Sequence, residues 1–143
     1  MQRRSFLAVT ASAAAMLSFA GSAHANDLEI ISAPDALEQV NDGSLILIDV
    51  RTEEEWAESG VAAGAATIAM QDRELERKLD ALVGGDRSKR VALICRTGVR
   101  SGRVGKFMAK AGFTQVYSVG EGMFGSTHGP GWLRRGLPIV QTN

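Results

Sequence analysis

Between residues 28 and 119, short apolar runs alternate with longer stretches in which apolar side chains recur at helical spacing. The runs are residues 28–32 (LEIIS), 45–49 (LILID), 66–70 (ATIAM), 91–94 (VALI) and 115–119 (QVYSV), each short enough for a strand. The fourth run shows no polar alternation and is bounded by charge, as expected for a strand buried on both faces of a parallel sheet. Leu75, Leu79 and Leu82 form a helical stripe that stops at Gly84-Gly85. Val104, Phe107, Met108 and Ala111 recur at i, i+3, i+4 and i+7, and Gly112 can cap that helix. Ser32, followed by Pro34 and Asp35, reads as a helix start, with Gly43 as its end. Thr52 with Glu55 three residues on is a capping-box pattern, and Glu53 and Glu54 suit the positive end of the same helix. Strands alternating with helices predict an α/β fold with a mainly parallel sheet.

The pattern before residue 26 is different. Arg3 and Arg4 precede an apolar stretch from Phe6 to Ala20, and Ala23-His24-Ala25 supplies small residues around a processing site. Residues 1–25 therefore read as a secretory signal peptide and residues 26–143 as a single mature domain. The stretch is shorter than a membrane span and rich in Ala and Ser, so no stable membrane insertion is expected after processing. Arg3-Arg4-Ser5-Phe6-Leu7 resembles a twin-arginine export signal, with the general export route as the alternative. Either route predicts a periplasmic or secreted protein.

Charge narrows the function classes. The 16 basic and 16 acidic residues balance, and loss of Arg3 and Arg4 leaves a net charge of about −2. Nothing in that balance calls for nucleic acid or an anionic membrane. With one cysteine, the chain can form no internal disulfide even in an oxidising compartment.

That cysteine, Cys95, stands where the VALI strand ends, as the first residue expected to leave the core before a short loop and a helix. A strand, tight loop and helix direct unpaired N–H groups and the positive end of the helix dipole into the loop, which favours anions. Arg96, Arg100, Arg103 and Lys106 add four positive charges, with no acid between Val91 and Phe107. This field favours thiolate over thiol and makes Cys95 a candidate nucleophile. The LILID strand ends in Asp49 and Arg51, on the same expected rim of strand ends where ligands gather. These two residues read either as an ion pair that fixes the loop or as substrate contacts.

Cys95-Arg96-Thr97-Gly98-Val99-Arg100-Ser101 resembles the active-site loop of the rhodanese family. Asp49-Val50-Arg51 is similar to that family's Asp-x-Arg strand end, and Trp132, Gly136 and Pro138 match its W-x-x-x-G-x-P. The resemblance implies a rhodanese-like α/β fold, with a mainly parallel central sheet and helices on both faces. It also implies sulfur transfer through a Cys95 persulfide. The thiolate would attack the outer sulfur of thiosulfate or another sulfane donor and release sulfite, and an acceptor thiol or cyanide would then remove the held sulfur. Substrate binding falls to the loop from Arg96 through Thr97, Gly98 and Val99 to Arg100, whose N–H groups would cradle the outer sulfur while Arg96 and Arg100 draw in the donor. Asp49, Arg51 and Ser101 support the site. This chemistry requires no metal and no organic cofactor.

Two segments depart from the family pattern. Residues 59–65 read SGVAAGA, with no histidine where the family often has one, and residues 125–131, GSTHGPG, form a longer segment that can overhang the site. His128 within it reads as a solvated loop histidine. Phosphatases and arsenate reductases of related shape use Cys-x5-Arg, whereas Cys95 to Arg100 is Cys-x4-Arg and Ser101 occupies the phosphatase arginine's place. The non-enzymatic alternative is an exported sulfur carrier or interaction module that docks to another exported protein.

Overall fold

The computed structural model describes residues 28–142, so the expected signal peptide, residues 1–25, lies outside the described residues. A five-stranded parallel sheet carries the fold. In chain order it comprises β1 (Glu29–Ile31), β2 (Ile46–Asp49), β4 (Ala66–Thr67), β5 (Val91–Ile94) and β6 (Val116–Val119), arranged β1-β6-β5-β2-β4. A separate antiparallel pair, β3 (Val61–Ala62) with β7 (Ile139–Val140), ties the chain end to the middle of the sequence. Among the described residues, four helices connect the strands: α1 (Ala33–Asn41), α2 (Glu53–Ser59), α3 (Leu75–Leu82) and α4 (Val99–Lys110).

The helix starts follow the capping chemistry. Ser32 Oγ accepts the Asp35 N–H at 3.2 Å, with Pro34 in the first turn. At α2 the capping box is complete: the Glu55 N–H donates to Thr52 Oγ1 and the Thr52 N–H to Glu55 Oε2. The C-terminal Trp132 is fully buried, and its indole N–H donates to the Pro138 carbonyl at 2.9 Å.

Alternation along the buried strands divides the core in two. Val91 and Leu93 of β5 face α3 and α4, where they meet Leu79, Val104 and Met108. Ala92 and Ile94 face the other way, toward Ala33 and Ala36 of α1 and toward Trp132. Helices thus cover both faces, and every sheet residue of β5 is buried.

Two expectations need correction. The run at residues 66–70 contributes only Ala66–Thr67 as strand, although the Ile68 and Met70 N–H groups still donate to the Asp49 and Val50 carbonyls. Cys95 does not leave the core. It continues the Val91 and Leu93 side of β5, lies in the α3 and α4 core cluster and is 1% exposed.

Candidate active site

Because β5 ends under the first turn of α4, the Cys95 side chain meets the start of that helix. The Gly98 N–H donates to Cys95 Sγ at 3.1 Å, the Ser101 N–H at 3.4 Å, and Ser101 Oγ lies at 3.5 Å. Two backbone donors therefore converge on the sulfur, a geometry that stabilises negative charge there, while Ser101 Oγ accepts from the thiol and donates to the Gly98 carbonyl at 3.1 Å. Ser101 Oγ is also 2.7 Å from Ser118 Oγ on β6, so a buried pair of hydroxyls backs the thiol. The N–H groups of Arg96, Thr97, Val99 and Arg100 have no hydrogen-bond partner among the described residues.

The loop can turn this tightly because Gly98 is left-handed, with φ +92°, and because a Cβ there would collide with the Gly120 carbonyl. Its far side is held by the segment after β6. The Met123 N–H donates to the Cys95 carbonyl and the Phe124 N–H to the Arg96 carbonyl, at 2.8 and 2.9 Å. Buried Glu121 anchors that segment, accepting from the N–H groups of Ala33 and Gly131 and from Arg135 Nε. Burial opposes ionisation of Glu121, but those three donors outweigh it and lower its pKa.

The two arginines assigned to the donor are both engaged. Arg100 donates from Nη1 and Nη2 to the two carboxylate oxygens of Glu55, at 2.6 and 2.7 Å. Arg96 stacks its guanidinium over the Phe124 ring at 4.0 Å and comes within 4.0 Å of Glu55. The fork offered to two donor oxygens is thus already filled by a carboxylate. The Arg100 hydrogen bonds hold the Glu55 pKa down to about 2, against partial burial, with help from the Thr52 N–H and the charge of Arg51. Glu55 in turn raises Arg100.

Asp49 and Arg51 form a fully buried ion pair at 2.8 Å. Arg51 also donates to Ser59 Oγ and to the Gly60 carbonyl, so it clamps the end of α2 to the end of β2. Its position is that of the loop-fixing alternative. By holding α2 it sets where Glu55 points. Thr97 and Val99 are exposed at the loop tip. His128 is exposed too, and the segment around it, with Thr97, Gly98 and Val99, lines a groove of about 760 Å³ that Cys95 does not line.

Three residues here escaped sequence reasoning. Glu55 was legible only as a capping residue, since its reach to Arg100 spans 45 positions. Phe124 and Ser118 carried no signal of their own.

Comparison with known proteins agrees with this geometry. A family model for the rhodanese-like domain matches residues 32–127. The chain is 41% identical over 75 residues to the putative sulfurtransferase YtwF of Bacillus subtilis, a match covering 52% of this chain and 67% of that protein. Among solved structures it is similar to the polysulfide-sulfur transferase homodimer of Wolinella succinogenes, at 28% identity and a TM-score of 0.65, covering 83% of each chain. A rhodanese-related protein of Thermoplasma volcanium, also 28% identical, superposes at a TM-score of 0.59 over 80% of this chain and 99% of the other.

Proposed function

The chain belongs to the rhodanese-like domain family, a sulfurtransferase family, and from that premise we propose that it moves sulfane sulfur through a persulfide on Cys95. The observation that carries this reading is the convergence of the Gly98 and Ser101 N–H groups on Cys95 Sγ at the start of α4. In the first half-reaction the thiolate attacks the outer sulfur of thiosulfate. The new S–S bond forms as the old one breaks, and sulfite departs with the bonding electron pair. Cys95 then carries a persulfide whose terminal sulfur holds the negative charge, and the unpartnered loop N–H groups of Arg96, Thr97, Val99 and Arg100 are the donors available to it. In the second half-reaction an acceptor thiolate, or cyanide, attacks that terminal sulfur and returns Cys95 as thiolate.

Donor choice follows from the occupied arginines. With Glu55 on the Arg100 fork, the mouth carries less free positive charge than its sequence suggests. A linear polysulfide chain then suits it as well as the sulfonate end of thiosulfate does, and the polysulfide-sulfur transferase named above supports that donor class. The proposal extends to an exported protein cut after Ala25, acting on sulfur compounds outside the cytoplasm, with another exported protein as a candidate acceptor. N-terminal sequencing of protein secreted by its host tests the cut.

The central test is a mass measurement. Protein incubated with thiosulfate or polysulfide should gain one sulfur atom, lost again on adding cyanide or a reducing thiol, and Cys95→Ser should gain none. A folded wild type whose thiol titrates but never gains sulfur would remove the persulfide reading. Gain of sulfur without turnover to any small acceptor would favour the carrier alternative.

A further inference from the structure

We propose that the outer face of α4, with the groove beside it, is a docking surface for an acidic protein segment that brings an acceptor thiol to Cys95. The inference rests on the sulfurtransferase reading and adds the chemistry of the acceptor. No acid occurs between Asp86 and Glu121, an interval that contains eight Lys and Arg residues. Several of these are engaged: Arg87 with Asp80 and Glu76, Arg90 with Gln39 and Tyr117, Arg100 with Glu55 and Arg96 with Phe124. Arg103, Lys106 and Lys110 are exposed and have no ion-pair partner among the described residues.

Helical geometry puts those three cations together. Val104, Gly105 and Met108 face inward, which leaves Val99, Arg103, Lys106, Phe107 and Lys110 on the outward side of α4. Val99 is 59% and Phe107 43% exposed, so apolar surface lies between the charges. The stripe begins at Val99, next to the Gly98 N–H that contacts the sulfur, and runs away from the site. Alongside it, Val99 and Lys106 form one wall of the 760 Å³ groove, and Ile30 of edge strand β1, 46% exposed, lies opposite.

Charge complementarity selects the occupant. Three unpaired cations call for a partner with acidic side chains, and the interleaved Val99 and Phe107 call for apolar groups among them. The end of the stripe at Cys95 calls for a thiol. A protein segment supplies all three, whereas a nucleic acid supplies no thiol.

The test uses two peptides of equal length, each with one cysteine. Acidic and leucine side chains in one are replaced by lysine and serine in the other, at positions remote from the cysteine so that the two thiols react alike. Sulfur-loaded protein should pass its sulfur to the acidic peptide at least about tenfold faster at low salt. The ratio of the two peptide rates should fall to about one in the combined variant Arg103→Glu, Lys106→Glu, Lys110→Glu. Both peptides meet the same Cys95, so the ratio does not depend on any change in basal transfer, which is followed with 2-mercaptoethanol. Equal rates for the two peptides, or a ratio that survives the triple reversal, would overturn the proposal. Anisotropy of a labelled acidic peptide, its cysteine replaced by serine, checks docking without chemistry. It should bind wild type and Cys95→Ser alike and lose at least about tenfold in affinity with the triple variant; weak binding to all three, or displacement by an oligonucleotide of equal charge, counts against the surface. Failure to load sulfur at all would instead remove the persulfide reading, and the anisotropy result would still decide the docking.

Discussion

Replacing Glu55 with glutamine separates the two jobs that the structure assigns to this side chain. Glutamine keeps an oxygen for the Thr52 N–H but cannot hold both Arg100 nitrogens with a charge. Hydrogen bonds to charged groups contribute about 1.5–3 kcal/mol and exposed ion pairs about 0–1 kcal/mol, so for this partly covered pair we expect a loss of about 1–2 kcal/mol. That corresponds to a fall of roughly 4–10 °C in Tm. The pH dependence has a definite sign. Glu55 is held at about pKa 2 in the folded state, well below an unfolded carboxyl, so its contribution is full above about pH 4.5 and is lost as pH falls toward 2. The Tm gap between wild type and Glu55→Gln should therefore narrow over that interval. The effect on catalysis runs the other way. The substitution removes a negative charge that sits within 4.0 Å of Arg96 and frees the fork of Arg100. At about that distance, a unit charge pair is worth about 1 kcal/mol even with full water screening, so the KM for thiosulfate should drop by about five- to tenfold. Sulfite release gives KM, and thermal melts from pH 2 to 8 give stability. A variant that melts lower while its thiosulfate KM stays put or rises would refute the idea that Glu55 governs anion access.

Three other outcomes follow from the loop. Gly98→Ala must adopt a left-handed backbone costing about 1–2 kcal/mol and also collide with the Gly120 carbonyl, so it should melt at least about 5 °C lower and lose most transfer activity. Ser118→Ala leaves the nucleophile in place but removes the hydroxyl behind Ser101; a drop of about 1 kcal/mol in stability and a few-fold fall in kcat at constant KM are expected in melts and steady-state assays. One residue inserted between Gly98 and Arg100 shifts the N–H groups by more than an ångström relative to the sulfur, so transfer should fall by about a hundredfold without any phosphatase activity appearing.

Much of the fold was legible because its signals are local. Four of the five strand runs, the Ser32 and Thr52 caps and the stripe of α4 depend on residues a few positions apart and appear where their patterns put them, whereas the run at residues 66–70 is strand only at Ala66–Thr67. The cysteine loop was legible for the same reason, since strand, glycine and helix start are adjacent in sequence. The C-terminal pairing of β3 with β7 was not, because two-residue strands have no period to read. The same holds for the electrostatics of the site. Counted along the chain, Arg96 and Arg100 are free cations beside a thiol; in space, one lies on Phe124 and the other is gripped by Glu55. Burial of Cys95 likewise depends on α4 folding back over β5. A sequence determines which charges exist and which segments can be strand or helix, because these depend on composition and near-neighbour geometry. Which charges neutralise one another is decided by packing, since a Coulomb or hydrogen-bonded contact between residues 45 positions apart exists only once the sheet has brought them together.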